Sequence, residues 1–306
     1  RFDSRHGSRR NNRTGQTRRV VGKKRILLRF VHQSIQKRVR IRGAEILNNK
    51  KFIFFDIDGT LLNDEKMPLD STVQALRQLQ KNGHEIAIAT GRNLFLAREV
   101  IDTFQLDNYI VCNGAAGYFK HELKYENKLD LTAFEKLLQV SDESGHQVVY
   151  ESAHALARRH ESIENNANEA MRSIEFEVPD HDVSFYQNNP LYQALLFYKE
   201  EEKAIYEDGT FPEFRFVRWH DAGVDVLPNP GSKAQTALWM AKHLGFAHED
   251  TIAFGDGNND YELISSVGYG VAMGNAVAPV KEVAKFVTKD CNSGGIAYAL
   301  EKLGLI

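Results

Sequence analysis

The stretch Lys51-Phe52-Ile53-Phe54-Phe55-Asp56-Ile57-Asp58-Gly59-Thr60-Leu61-Leu62 constrains this chain more than any other. Phe52 to Phe55 form a short apolar run with the length and composition of a buried strand. The run stops at two aspartates one residue apart. Extended geometry would put Asp56 and Asp58 on the same side. Two carboxylates at the end of a buried strand repel one another and are costly to desolvate unless a cation lies between them. The plainer reading, a strand running into a solvated Asp-Gly turn, applies to this segment alone. The rest of the chain weighs against it.

Downstream, the apolar and polar patterns alternate. The spacing predicts a helix over 70–81, a strand over 84–89 ending at Thr90-Gly91-Arg92, and a helix over 93–104. A strand over 109–112 then ends at Asn113-Gly114-Ala115. Strand, helix, strand, helix, strand with short connections implies right-handed crossovers and a parallel sheet. In such sheets ligands sit at the carboxyl ends of the strands, where Asp56, Asp58, Thr90 and Asn113 all fall.

From about Tyr118 the pattern changes. The reading there is a polar β segment over 118–123, helices over 131–141 and 153–173, and strands over 147–150, 192–198 and 214–219. The parallel pattern resumes at Val224-Asp225-Val226-Leu227, followed by Ser232-Lys233 opening a helix. Strands over 251–254 and 269–272 end in Gly255-Asp256-Gly257-Asn258-Asn259-Asp260 and Met273-Gly274-Asn275-Ala276. The expected fold is α/β: a Rossmann-like parallel-sheet core from 48–116 and 225–306, with an inserted α+β domain over 117–224. A chain of 306 residues has room for both.

The composition, 42% hydrophobic and 26% charged, is that of a globular protein. No apolar run approaches the roughly 18 residues that span a bilayer, so no membrane partner is expected. Cys112 and Cys291 are too few for a disulfide framework, and a reducing cytoplasm fits best. The net charge of −2 conceals a division. Residues 1–46 carry 15 Lys or Arg against two acids, and the remainder carries 24 basic and 39 acidic residues. Such an arm can bind nucleic acid or an anionic membrane, can be a targeting peptide, or can stand outside the working protein. The third reading is preferred. The sequence does not begin with Met, Met67 lies past the Asp56 motif, and an alternative start at Leu47 would explain the change. Residues 1–47 are therefore expected to be disordered or foreign to the native protein.

The strand ends supply a coherent chemistry. Asp56, Asp58 and Asp256 are hard oxygen donors suited to Mg²⁺. Lys233 can neutralise a phosphoryl group, and the backbone amides of Ile57 and Gly91 with the Thr90 hydroxyl can hold its oxygens. One aspartate can attack phosphorus, and the other, two residues on, can protonate the leaving oxygen. That division requires Asp58 to hold a proton at first.

Asp56-Ile57-Asp58-Gly59-Thr60, Thr90-Gly91-Arg92, Lys233 and Gly255-Asp256-Gly257-Asn258-Asn259-Asp260 together resemble the four motifs of the haloacid dehalogenase-like hydrolase superfamily. Asn113-Gly114-Ala115, Met273-Gly274-Asn275-Ala276 and the large insert resemble its Cof-type branch, with the cap called C2 or type IIB. The resemblance covers residues 48–306. It implies that Asp56 is the nucleophile and Asp58 the general acid/base, with the Asp58 carbonyl also on Mg²⁺. It further implies that Thr90, Gly91, Lys233 and Asn259 hold phosphate, that Asp256 binds the metal, and that Asp260 orients Lys233 or a metal-bound water. Asn113, Arg92 and Arg218 are candidates for substrate contact, as are the neighbours Trp219, His220, Tyr150 and Glu151. The expected function is Mg²⁺-dependent hydrolysis of a small phosphorylated metabolite, a sugar phosphate or phosphorylated cofactor, through an aspartyl phosphate. A phosphomutase using the same intermediate is one alternative. A nucleic-acid-binding protein led by the basic arm is the other, and it is not favoured. Oligomeric state is not legible.

Overall fold

A computed structural model of the chain describes residues 50–174 and 177–306, so the basic stretch 1–47 lies outside the described residues. β1 (Phe52–Phe55) is buried along its whole length, the mark of a strand covered on both faces. After it come α1 (Asp70–Lys81), β2 (Glu85–Ala89), α2 (Leu94–Phe104) and β3 (Asn108–Val111). Asn93 caps α2, its side-chain oxygen accepting from the Leu96 amide at 2.9 Å. Two antiparallel strands follow, β4 (Ala116–Phe119) and β5 (Glu122–Glu126). The chain then leaves this sheet through α3 (Leu131–Ser144), β6 (Gln147–Glu151), β7 (Leu156–Arg158) and α4 (Asn165–Ser173). It continues through β8 (Gln193–Phe197), β9 (Phe214–His220) and β10 (Gly223–Pro228). It re-enters the first sheet through α5 (Lys233–His243), β11 (Thr251–Gly255), α6 (Tyr261–Ser266), β12 (Tyr269–Ala272), α7 (Ala278–Val283), β13 (Phe286–Val287) and α8 (Gly295–Lys302).

The larger sheet has the order β13-β12-β11-β1-β2-β3-β4-β5, parallel from β13 to β3. The chain moves from β1 outward to one side and returns from β11 outward to the other. The order reverses between β1 and β11, and a ligand crevice belongs at that reversal. The smaller sheet, β7-β6-β8-β10-β9, is antiparallel throughout. One of its faces buries Tyr150, Ala194, Leu196, Val224 and Val226 in a core with α3. Strand alternation turns Glu151, Gln193, Leu195 and Asp225 to the other face, where Trp219, the unpaired residue of a bulge in β9, packs against Leu195 and Phe197.

Three sequence expectations need correction. The polar segment after 116 stays in the core sheet as β4 and β5, because an edge hairpin can be polar without leaving its sheet. Val224 to Leu227 pair with the cap strands β8 and β9 and not with the parallel core. Their alternation of apolar residues with Asp225 is an antiparallel signature, whereas buried parallel strands are apolar throughout. The helix expected over 153–173 exists only from Asn165, since Leu156–Arg158 pair with β6 as β7.

Candidate active site

The two strands at the reversal point each deliver an aspartate. Asp56 continues the β1 ladder, its amide donating to the Phe254 carbonyl at 3.0 Å, and its side chain is almost wholly buried. Asp256 follows β11 directly. Lys233 opens α5 behind the Ser232 cap, and its ammonium is buried. Its Nζ donates to Asp56 Oδ1 and to Asp260 Oδ1, each at 2.7 Å. Asp260 Oδ2 accepts from the Asp256 and Gly257 amides, both at 3.0 Å. Asp260 thus anchors both the Asp256 turn and Lys233.

Asp256 is held by Thr60 Oγ1 at 2.9 Å and by Asn275 Nδ2 at 3.3 Å; the same Asn275 amide donates to the Gly59 carbonyl at 2.8 Å. Gly59 has φ +72°, and a Cβ there would lie 2.3 Å from Asp256 Oδ2. Both backbone conformation and space therefore demand glycine in the turn after β1.

Ligand oxygens of Asp56, Asp256 and Asp260 lie within 4.8 Å of one another. These three carboxylates face one buried ammonium. Burial, then the charge of Asp260, pushes Asp56 well above the usual carboxylate range despite Lys233. Burial and Asp260 likewise raise Asp256 to about 6. The two acids hold Lys233 above its ordinary value, against the effect of burial. An oxygen-only cluster with a surplus of negative charge fits a hard divalent cation such as Mg²⁺.

Asp58 lies differently from the sequence expectation of a protonated acid. Arg92 grips it through Nε on Oδ2 at 2.9 Å and Nη2 on Oδ1 at 2.7 Å, and Lys66 Nζ adds 2.9 Å to Oδ1. Burial works to raise its pKa, but the Arg92 fork and Lys66 outweigh burial and hold it below the usual range. Arg92, expected as a substrate contact, is engaged here. Nothing in the sequence marked Lys66, which sits at φ +58° in the loop after the first motif.

Thr90 is buried, and its Oγ1 accepts from the Arg92 amide at 3.1 Å. The Gly91 carbonyl accepts from Gln193 Nε2 of the cap at 2.9 Å. Asn113, at φ +51°, donates from Nδ2 to Asp225 Oδ2 at 2.8 Å and to Gln193 Oε1 at 3.1 Å. Its Oδ1 accepts from Asn259 Nδ2 at 2.9 Å. The Ile57 side chain is buried beneath the loop, and its carbonyl accepts from the Leu62 amide at 2.9 Å. A cavity of about 270 Å³ brings together Asp56, Asp58, Thr90, Gly91, Arg92 and Asn259 from the core with Gln193, Leu195, Trp219 and Asp225 from the cap.

Arg218 does not line this cavity. It pairs with Glu200 at 2.9 Å and donates to the carbonyls of Tyr198 and Asp221, because alternation along β9 turns it away from the face that Trp219 occupies. Tyr150 is likewise buried in the cap core, while Glu151 faces the active-site side. Gln193, Asp225 and Asn275 were not read as site residues. For the two cap residues the usable signal was the period-two alternation of their strands.

Residues 53–300 match the haloacid dehalogenase-like hydrolase family. The chain is 40% identical over 261 residues to a Bacillus subtilis (strain 168) protein named "Putative phosphatase YkrA", covering 84% of this chain and 99% of that one. Among solved structures, a hypothetical protein from Geobacillus kaustophilus HTA426 is similar at 41% identity and a TM-score of 0.79, with 84% of this chain and 100% of that chain covered. The subclass IIB sugar phosphatase BT4131 is similar at 28% identity and a TM-score of 0.73, with coverage of 84% and 100%. With its two-sheet fold and acidic crevice, the chain belongs to the haloacid dehalogenase-like hydrolases. Within them it is an enzyme of the phosphatase kind.

Proposed function

We propose that this enzyme hydrolyses a small phosphorylated metabolite by way of an aspartyl phosphate on Asp56, with Mg²⁺ as its metal. The observation that carries this reading is the Lys233 bridge between Asp56 and Asp260, with Asp256 in the same cluster, beneath a cavity of metabolite size. Asp56, Asp256 and the Asp58 carbonyl would hold Mg²⁺. Bound there, the ion would supply positive charge against the phosphoryl oxygens.

Lys233 Nζ occupies Oδ1 of Asp56, which leaves Oδ2 to attack phosphorus while the ammonium keeps the carboxyl oriented. Thr90, the amides of Ile57 and Gly91, Lys233 and Asn259 would bind the phosphoryl oxygens. Asp58 would deliver a proton to the leaving oxygen and later take one from the water that cleaves the aspartyl phosphate. To do so it must give up the Arg92 and Lys66 contacts, so entry of substrate into the shared cavity is expected to loosen that fork. The likeness to BT4131 supports a sugar phosphate as substrate. The two buried free thiols, Cys112 and Cys291, support a reducing cytoplasm.

The test is phosphate release from phenyl phosphate with and without Mg²⁺, for the native enzyme and Asp56→Asn. Mg²⁺-dependent release abolished by the substitution is the expected result. Release that survives Asp56→Asn would refute Asp56 as the nucleophile.

A further inference from the structure

Gln193 and Asp225 of the cap meet Asn113 and Asn259 of the core end to end, and their chemistry allows one arrangement. The Gly91 carbonyl can only accept, so Gln193 turns Nε2 to it at 2.9 Å. Gln193 Oε1 is thereby left to accept from Asn113 Nδ2 at 3.1 Å. Asp225 Oδ2 accepts from the same nitrogen at 2.8 Å. Both hydrogens of the Asn113 amide are then spent on the cap, and its Oδ1 accepts from Asn259 Nδ2 at 2.9 Å. An isolated Asn–Asn pair can bond either way round. The acceptors on the cap remove that freedom.

The backbone is shaped to the same end. Asn113 is buried at φ 51° and ψ 29°, in the left-handed region that asparagine enters more readily than most residues. A Cβ on Gly91 would lie 3.2 Å from both Asn113 Nδ2 and Oδ1, so a side chain there would press on the amide. The Asn259 oxygen lies against Gly257, where a Cβ would come within 2.9 Å of it. One N–H of Asn259 goes to Asn113, and among the described residues Nδ2 makes no second hydrogen bond. Asn259 stands on the wall of the reaction cavity, so its second N–H is available to a phosphoryl oxygen. Reversing the Asn113 amide would put the Asn259 oxygen where Nδ2 now stands and set a lone pair against that phosphoryl group.

We infer that Asp225 and Gln193, acting through Asn113, are positioning residues that hold the Asn259 amide with its N–H toward the phosphoryl group. The cap thereby helps to set the grip on phosphate whatever the leaving group. This rests on the phosphatase reading above, in which Asn259 binds the phosphoryl oxygens, and identifies what orients it.

The experiment measures the Kd of inorganic phosphate for the Mg²⁺-loaded enzyme by calorimetry, with kcat and KM for phenyl phosphate and glucose 6-phosphate. The variants are Asp225→Ala, which removes the acceptor, Asn113→Gly, which keeps the left-handed backbone accessible, Asn259→Leu, and each of the first two combined with Asn259→Leu. Asn259→Leu and Asn113→Gly are each expected to weaken phosphate binding about tenfold, the worth of one hydrogen bond. Asp225→Ala should weaken it by less, since Gln193 Oε1 still holds Asn113. In the Asn259→Leu background neither change should weaken binding further, because residues acting in one chain are not additive. Across the single variants kcat/KM should fall by the same factor for both substrates. Further loss in the Asn259→Leu background, or a shift in the ratio of the two substrates with phosphate affinity unchanged, would overturn the relay. Should Asn113→Gly fail to fold, the Asp225→Ala comparison decides alone. Hydrolysis of phenyl phosphate that persists in Asp56→Asn would instead overturn the catalytic reading and leave the phosphate affinities standing, so the two failures are distinguishable.

Discussion

At the scale of single residues, Lys233 carries more of the site's integrity than its place at the start of α5 suggests. Its ammonium is the counter-charge that lets Asp56 and Asp260 remain buried. Removing one member of a buried ion cluster leaves uncompensated charge, typically at about 3–5 kcal/mol. Lys233→Met is therefore expected to lower the unfolding free energy, read from the urea midpoint and slope in Mg²⁺-free buffer, by an amount of that order and to abolish activity. An unchanged midpoint would mean that the two acids simply take up protons. Asp58 gives the second residue-scale outcome. If it protonates the leaving oxygen, Asp58→Asn should slow hydrolysis of alkyl phosphates by roughly 10²–10⁴ and of aryl phosphates, whose leaving groups need no proton, by much less. Equal losses on both would assign Asp58 a purely structural role. The structure draws Asp56, Lys233, Asp256 and Asp260 into one cluster; the acids after β1 and β11 stood out in the sequence because carboxylates directly after apolar runs have few structural uses, whereas Asp260 was singled out through the family resemblance. The Arg92 fork on Asp58 was not legible, since it depends on a side-chain direction that spacing does not specify.

At the scale of elements, the buried parallel strands could be read directly, because strands covered on both faces are continuously apolar, as in β1. The half-exposed elements were harder. The β4–β5 hairpin looked like the start of the insert, and the alternating β10 like a return to the core, because composition reports burial and not the partner strand. Within the cap the alternation itself held information. Arg218 and Trp219 are neighbours in sequence yet pack on opposite faces of β9, Trp219 against Leu195 and Phe197 and Arg218 over Tyr198. Arg218 instead secures the outer face of the cap, stacking on Tyr198 at 4.8 Å and pairing with Glu200. Arg218→Ala is accordingly expected to cost about 1 kcal/mol of stability and to leave kcat/KM for phenyl phosphate within twofold of the native value. A large loss of kcat/KM with the fold intact would return Arg218 to the substrate site.

At the scale of the whole molecule, core and cap are clasped at a place remote in sequence from the two linkers. Gln193 of the cap reaches the Gly91 carbonyl of the core, and the cap loop after β6 docks on the start of α2. There Asn93 Nδ2 donates to the Ser152 carbonyl and the Phe95 amide to the Ala153 carbonyl, both at 3.2 Å. Glu151 sits inside this clasp, fully buried. Its Oε2 accepts from Gln193 Nε2 at 2.6 Å, and its Oε1 has no partner among the described residues. Burial first, with the neighbouring Asp225 adding to it, raises its pKa from 4.5 to about 8. A carboxyl whose pKa is higher folded than unfolded binds more protons in the folded state between those two values. Across pH 4.5 to 8 the contribution of this group to folded-state stability must therefore fall as pH rises, with a ceiling on the order of 5 kcal/mol. Asp225, raised to about 7, acts in the same direction. Glu151→Gln keeps the shape and the acceptor but cannot ionise. Thermal unfolding in Mg²⁺-free buffer at pH 5, 6, 7 and 8 should therefore show a shallower decline for the variant, with its advantage over the native protein growing toward pH 8. Parallel curves would mean that Glu151 is already ionised in the folded protein, and the clasp would then have to hold a buried charge faced by Gln193 and the Asn93 amide.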